Sequence, residues 1–141
     1  PGTVAGFPFP GAIDGVIPLP GKEDFRRSTG RIGEAWARRF LESKGWEILD
    51  TNWRVRWGEL DIVALRDHQL IVVEVRTTRG TRFGYGYESV DLRKRRQVRR
   101  LALLYLQEKE LYHLPVRFDV ISVLLGKDDR PKSIRHLEGA F

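Results

Sequence analysis

The chain has no cysteine, which excludes disulfides and thiolate-bound zinc. Histidine is nearly as scarce. His68, His113 and His136 stand far apart without the spacing of a zinc site, and they read as solvated or structural side chains. No run of about 18 apolar residues occurs, so no stretch is suited to cross a bilayer as a helix and no membrane partner is expected. Acids are in the minority, 19 against 25 lysines and arginines, giving a net charge of +6. A basic balance favours polyanions such as DNA or RNA, although it is a weak signal by itself. Basic residues are missing before Lys22, and prolines interrupt every apolar stretch there. That segment does not read as a secretory signal, and the cytoplasm is the expected compartment.

What is present fits one soluble α/β domain preceded by an arm. The 141 residues, 41% apolar and 31% charged, suffice for a single core. Residues 1–27 interleave Pro8, Pro10, Pro18 and Pro20 with Gly6, Gly11, Gly15 and Gly21, a density that excludes helix or strand interior. Phe7, Phe9, Ile13 and Ile17 make this arm more apolar than a linker requires. It is expected to pack on its own domain or to join two copies as a homodimer. Residues 28–141 form the domain.

Within the domain, Ser28 or Thr29 can cap a helix running to about Lys44 and stopped by Gly45. Its Ile32, Trp36, Ala37, Phe40 and Leu41 cover one side, with Glu34 at the border. A first strand begins at Trp46–Leu49 and resumes with Trp53, Val55 and Trp57 after a polar turn, Asp50–Asn52. Gly58–Thr77 then reads as a hairpin, with alternation in GELDIVAL, a turn at 66–69 and an apolar run from Leu70 to Val75. A polar loop spans 77–88. A second helix follows from about Asp91 to Glu110, with Val98, Leu101 and Tyr105 at helical spacing. Val116–Leu125 and Lys132–Leu137 close the chain as strands. The expected order is αβββαββ, a mixed central sheet flanked by helices.

The hairpin carries charges where a sheet should be apolar: Asp61, Glu74 and Arg76. Glu74 and Arg76, two apart on a strand, share a face. Buried acids are costly unless paired or bound to metal. Carboxylates from neighbouring strands can hold Mg²⁺ or Mn²⁺, with the Val75 carbonyl as a further oxygen and Glu34 as a fourth member of the group. A cation so held activates water and neutralises charge on a phosphodiester. The same three residues equally fit a cross-strand ion pair.

Glu34, Gly58-Glu59-Leu60-Asp61 and Val73-Glu74-Val75-Arg76-Thr77 together resemble the PD-(D/E)xK nuclease superfamily. Further matching stretches are Gly30–Glu34, Asn52-Trp53-Arg54, Arg82-Phe83-Gly84, Glu88-Ser89-Val90, Arg117–Val120 and the closing Glu138–Phe141. With these the chain resembles, more narrowly, the YraN family (UPF0102), a bacterial group similar to archaeal Holliday-junction resolvases. The resemblance implies a restriction-endonuclease-like core and a divalent-metal-dependent endonuclease site for branched or structured DNA. In that site Asp61 and Glu74 bind metal, Glu34 assists, and Arg76 takes the place of a lysine. Arginine stays charged at any working pH, so Arg76 suits orienting water or steadying a transition state and is unsuited to general-base work. Binding of nucleic acid therefore ranks above turnover, and an inactive binding module or a self-associating interaction protein are the alternatives.

The basic stretches supply an expected nucleic-acid surface. Arg93, Lys94, Arg95, Arg96, Arg99 and Arg100 crowd the first half of the second helix and can track phosphates, or simply form a solvated face. Arg79, Arg82 and Tyr85 in the loop before it can touch backbone or stack on an unpaired base, or cover the sheet end.

Overall fold

The computed structural model describes residues 22–83 and 90–141. Most of the arm and the loop residues 84–89, Tyr85 among them, lie outside the described residues. The elements are α1 (Lys22–Ser43), β1 (Glu47–Val55), β2 (Gly58–Arg66), β3 (Gln69–Arg79), α2 (Leu92–Lys109), β4 (Val116–Leu125) and β5 (Pro131–Leu137). The order is the expected αβββαββ. The strands lie β1-β2-β3-β4-β5 in one five-stranded sheet. Every neighbouring pair is antiparallel except β3 and β4, which are parallel. A parallel pair needs a long crossover, and α2 supplies it. This mixed α/β arrangement is consistent with a restriction-endonuclease-like fold.

Each helix covers one face of the sheet. Ile32, Trp36, Phe40 and Leu41 of α1 pack on Ile62, Ala64, Ile71, Val73, Ile121 and Val123. Val98, Leu101, Tyr105 and Leu106 of α2 pack on Leu60, Val63, Leu70, Val72 and Phe118. Leu70–Val73 is continuously apolar because successive side chains of this central strand enter opposite cores. Trp36 is 1% exposed, and its Nε1 donates to the Asp129 carbonyl at 2.9 Å. Truncating a side chain of that size costs about 3–5 kcal/mol.

Three boundaries differ from the sequence reading. Helix α1 starts at Lys22, ahead of Ser28, because nothing between Gly21 and Gly30 breaks a helix. The Thr29 hydroxyl accordingly caps nothing and accepts from Arg79 Nε at 2.9 Å. The polar stretch Asp50–Asn52 is no turn. Strand β1 runs straight through it, absorbing a register shift between Ile48 and Asp50 and a left-handed backbone at Asn52, φ 51°. Asparagine tolerates that conformation better than most residues. Strand β3 extends to Arg79, since its outer residues keep pairing with β4 as far as Leu125. The hairpin turn is Asp67–His68, both at positive φ without glycine. Asp91 caps α2 by accepting from the Lys94 N–H at 2.8 Å.

Gly33 sets the approach of α1 to β3. A Cβ there would overlap the Thr77 side chain, with Cγ2 at 2.6 Å and Cβ at 2.7 Å. That close approach brings Glu34, the next residue, to the edge of β2 and β3.

Candidate metal centre at the open end of the hairpin

Pairing between β2 and β3 runs from Arg66↔Gln69 to Ile62↔Val73 and stops. The next residues on the two strands are Asp61 and Glu74. The side-chain alternation of β2 breaks at the same point. Leu60 joins the α2-side core and Ile62 the α1-side core, with Asp61 between them. In the gap the Asp61 Oδ2 accepts the Val75 N–H at 2.9 Å, replacing a ladder bond by a carboxylate contact. A backbone donor thereby fixes the direction of the Asp61 side chain.

Around Asp61 the fold collects more acid than it neutralises. Glu34, Glu59 and Asp61 each offer one carboxylate oxygen, and these oxygens lie within 4.8 Å of one another. Asn52 Nδ2 holds Glu34 Oε1 at 2.7 Å and Glu59 Oε1 at 3.2 Å. Arg54, opposite Glu59 in register, binds the other oxygen of Glu59 from solvent. Glu74 enters from the side, with Lys94 Nζ of α2 at 3.5 Å from its Oε2. Burial, then the charges of Glu74 and Glu34, push Asp61 up to about 8, against the smaller opposing pull of the Val75 N–H and Lys94. Glu34 is raised too, by burial first and by Glu59, with the Asn52 bond pulling the other way.

A cluster of partly buried carboxylates has the chemistry to hold a hard divalent ion. The donors are all oxygen, which suits Mg²⁺ or Mn²⁺ and disfavours softer metals. A second group, Asp119, His136 and Glu138, has comparable proximity. It fits a metal poorly, because Asp119 is already saturated. Arg117 Nε and Nη2 donate to its two oxygens at 2.8 and 2.9 Å, His136 Nε2 lies 2.7 Å from Oδ2, and the Gly139 N–H reaches Oδ1 at 3.0 Å.

The expected site residues are thus partly gathered and partly dispersed. Asp61 and Glu34 share one carboxylate group with Glu59, and Glu74, expected as the second ligand, stands outside that group and acts on Asp61 through its charge. Val75 contributes its N–H to Asp61. Arg76 is partly buried and makes no ion pair with Asp61 or Glu74 among the described residues. The cross-strand pair allowed by the sequence is absent there, and Lys94 is the cation that meets Glu74. Glu59, Asn52 and Arg54 were missed as site residues. The signal for Glu59 was available, since Glu59 and Asp61 are two apart on one strand.

The expected nucleic-acid residues scatter. Arg79 is tied to Thr29 and Asp129 and lies over Phe25. Arg95 donates to the Val90 carbonyl at 2.6 Å, and Arg99 stacks 4.8 Å above Phe118. Both also sit over Phe141, which stacks on Phe118. Arg82, Arg93, Arg96 and Arg100 are exposed. Two of the six basic residues of this stretch, Arg95 and Arg99, therefore lie against the carboxy-terminal Phe141. Among the described residues no helix is long and apolar enough to cross a membrane.

Comparison with known proteins agrees with this core. Residues 33–123 match the model described as "Uncharacterised protein family UPF0102". A UPF0102 protein of Moorella thermoacetica is 43% identical over 116 residues, covering 82% of this chain and 97% of the relative. One from Nocardia farcinica is 45% identical over 116 residues, covering 82% and 91%. A third, from Myxococcus xanthus, is 45% identical over 116 residues, covering 82% and 90%. The matched segment contains every acid of the candidate centre, and the chain belongs to the UPF0102 family.

Proposed function

We propose that the protein is a divalent-metal-dependent phosphodiesterase acting on nucleic acid, with branched or otherwise structured DNA as the preferred substrate class. The observation that carries this reading is the convergence of Glu34, Glu59 and Asp61, whose carboxylate oxygens lie within 4.8 Å of one another. These three would hold Mg²⁺ or Mn²⁺, with Glu74 beside them. The bound ion would supply charge neutralisation at the phosphodiester and a more acidic water.

The chain's own residues divide the remaining work. The Val75 N–H orients Asp61, and Asn52 orients Glu34 and Glu59. Lys94 faces Glu74 from α2, its Nζ 3.5 Å from Oε2. It is suited to holding Glu74 in position beside the other acids. Arg76, on the Glu74 face of β3, stays cationic and suits the charge that develops on phosphorus oxygens.

The test is cleavage of fluorescent junction, flap and duplex DNA with Mg²⁺ or Mn²⁺. Wild-type product that falls at least a hundredfold in Asp61→Asn and Glu34→Gln, and by ten- to a hundredfold in Lys94→Gln, agrees with these assignments. Equal product from wild type and Asp61→Asn rejects them. A second reading, a binding scaffold without turnover, draws on Arg76 standing where the resembling nucleases carry lysine. It predicts bound DNA and no product in the same assay.

A further inference from the structure

The acidic centre opens into a cleft between α1 and β1. Two adjoining cavities of about 490 and 510 Å³ share Arg31, Glu34 and Asn52 in their walls. One also takes in Arg38 and Arg39, the other Arg27 and Arg54. At 100° per residue, Arg27, Arg31 and Arg38 fall within about 40° of one stripe along α1, with Glu34 in the same stripe. With a rise of 1.5 Å per residue the three span about 16 Å. The expected basic surface on α2 is placed differently. Its exposed Arg93, Arg96 and Arg100 lie on the helix's outer side, away from the face that packs on the sheet.

The guanidinium groups of the cleft are under-used within the molecule. Arg27 and Arg31 make no hydrogen bond or ion pair of 4 Å or less among the described residues, although the charge of Arg31 reaches Glu34. Arg38 has a solvent-exposed contact with Glu42 at 3.4 Å. The Arg39 Nε is buried in the wall without a partner. Exposed arginine forks in a row match phosphate oxygens, and a row about 16 Å long asks for a repeating anion rather than a single small one. From these features we propose that the α1–β1 cleft is the track of a nucleic-acid strand, gripped by Arg27, Arg31 and Arg38 and led past Glu34 to the acidic centre. What happens at the end of the track rests on the phosphodiesterase reading; binding along it does not.

The experiment measures anisotropy of a fluorescent single-stranded oligonucleotide, as DNA and as RNA, with the full chain in EDTA across a salt series. The triple variant Arg27→Glu/Arg31→Glu/Arg38→Glu is expected to bind at least tenfold more weakly and to flatten the log–log salt slope by about 2. The triple glutamine variant, included in case charge reversal disturbs folding, should move in the same direction by less. Arg93→Glu/Arg96→Glu/Arg100→Glu should stay within about threefold of wild type. Cleft variants that bind like wild type, an α2 variant that alone loses binding, or no binding by wild type would each overturn the track. Mn²⁺ affinity, measured separately on wild type, keeps the two readings apart: its presence leaves the metal centre standing when the track fails, and its absence rejects the centre.

Discussion

Asp61 and Asp119 are the same residue type on neighbouring parts of one sheet, and the fold treats them oppositely. Asp119 is fully buried, yet Arg117, His136 and the Gly139 N–H outweigh the cost of burial and hold its carboxyl below the usual range. Asp61 is partly buried, has one backbone donor, and shares its space with Glu34, Glu59 and Glu74. The first is a clasp that fastens the carboxy-terminal Glu138–Phe141 to β4, aided by the Ala140 N–H on the Phe118 carbonyl at 2.7 Å. The second is left short of positive charge. Proximity of acids and histidines therefore does not mark a metal site here. What sets the Asp61 group apart is that Asp61 has a single backbone donor where Asp119 has three partners.

The contrast breaks most visibly on removing Asp119. Asp119→Ala leaves Arg117 and His136 facing a cavity, and should cost about 3–5 kcal/mol in urea denaturation. A loss below about 1 kcal/mol would show that the clasp is ornamental. Because the folded carboxyl is depressed, its contribution is present above about pH 4 and fades as pH falls through the folded value.

Asp61 should show the opposite sign. Its folded pKa is raised from 3.8 to about 8, so the folded state keeps a proton that the unfolded state releases in between. Metal-free stability should then fall as pH rises from about 4 to about 8. Asp61→Asn keeps an acceptor for the Val75 N–H and removes the charge. At pH 9 without metal it should be about 2–4 kcal/mol more stable than wild type, and near pH 4 about equal. Destabilisation at every pH would remove the distinction between the two aspartates.

A smaller effect sharpens the comparison further. A cation that displaces one proton from the Asp61 cluster should bind about tenfold more tightly per pH unit up to about pH 8. Calorimetric Mn²⁺ titrations at pH 6, 7 and 8 would measure this. Affinity independent of pH would place the ion elsewhere.

Much of this was legible in the sequence, for identifiable reasons. The two helices, the hairpin and β4 follow from periodicity, and Asp61, Glu74 and Glu34 stand out as acids in or beside apolar runs. The continuity of β1 was not legible, because Asp50-Thr51-Asn52 has turn composition and only pairing with β2 straightens it. Arg95 and Arg99 looked like phosphate ligands, since the rings they lie over, Phe118 and Phe141, come from segments that follow α2. Lys94 was hidden among arginines until α2 laid it against Glu74. The clasp was hidden too, as Asp119 and His136 meet only when β4 and β5 pair. Contacts between distant segments are what local pattern cannot express.

The decisive question is where a divalent ion binds. Anomalous scattering from crystals soaked in Mn²⁺ answers this directly. A peak coordinated by oxygens of Asp61 and of Glu34 or Glu59, at roughly 2.1 Å, is the predicted result. A peak at Asp119, His136 and Glu138, or none in either cluster at saturating Mn²⁺, would contradict it.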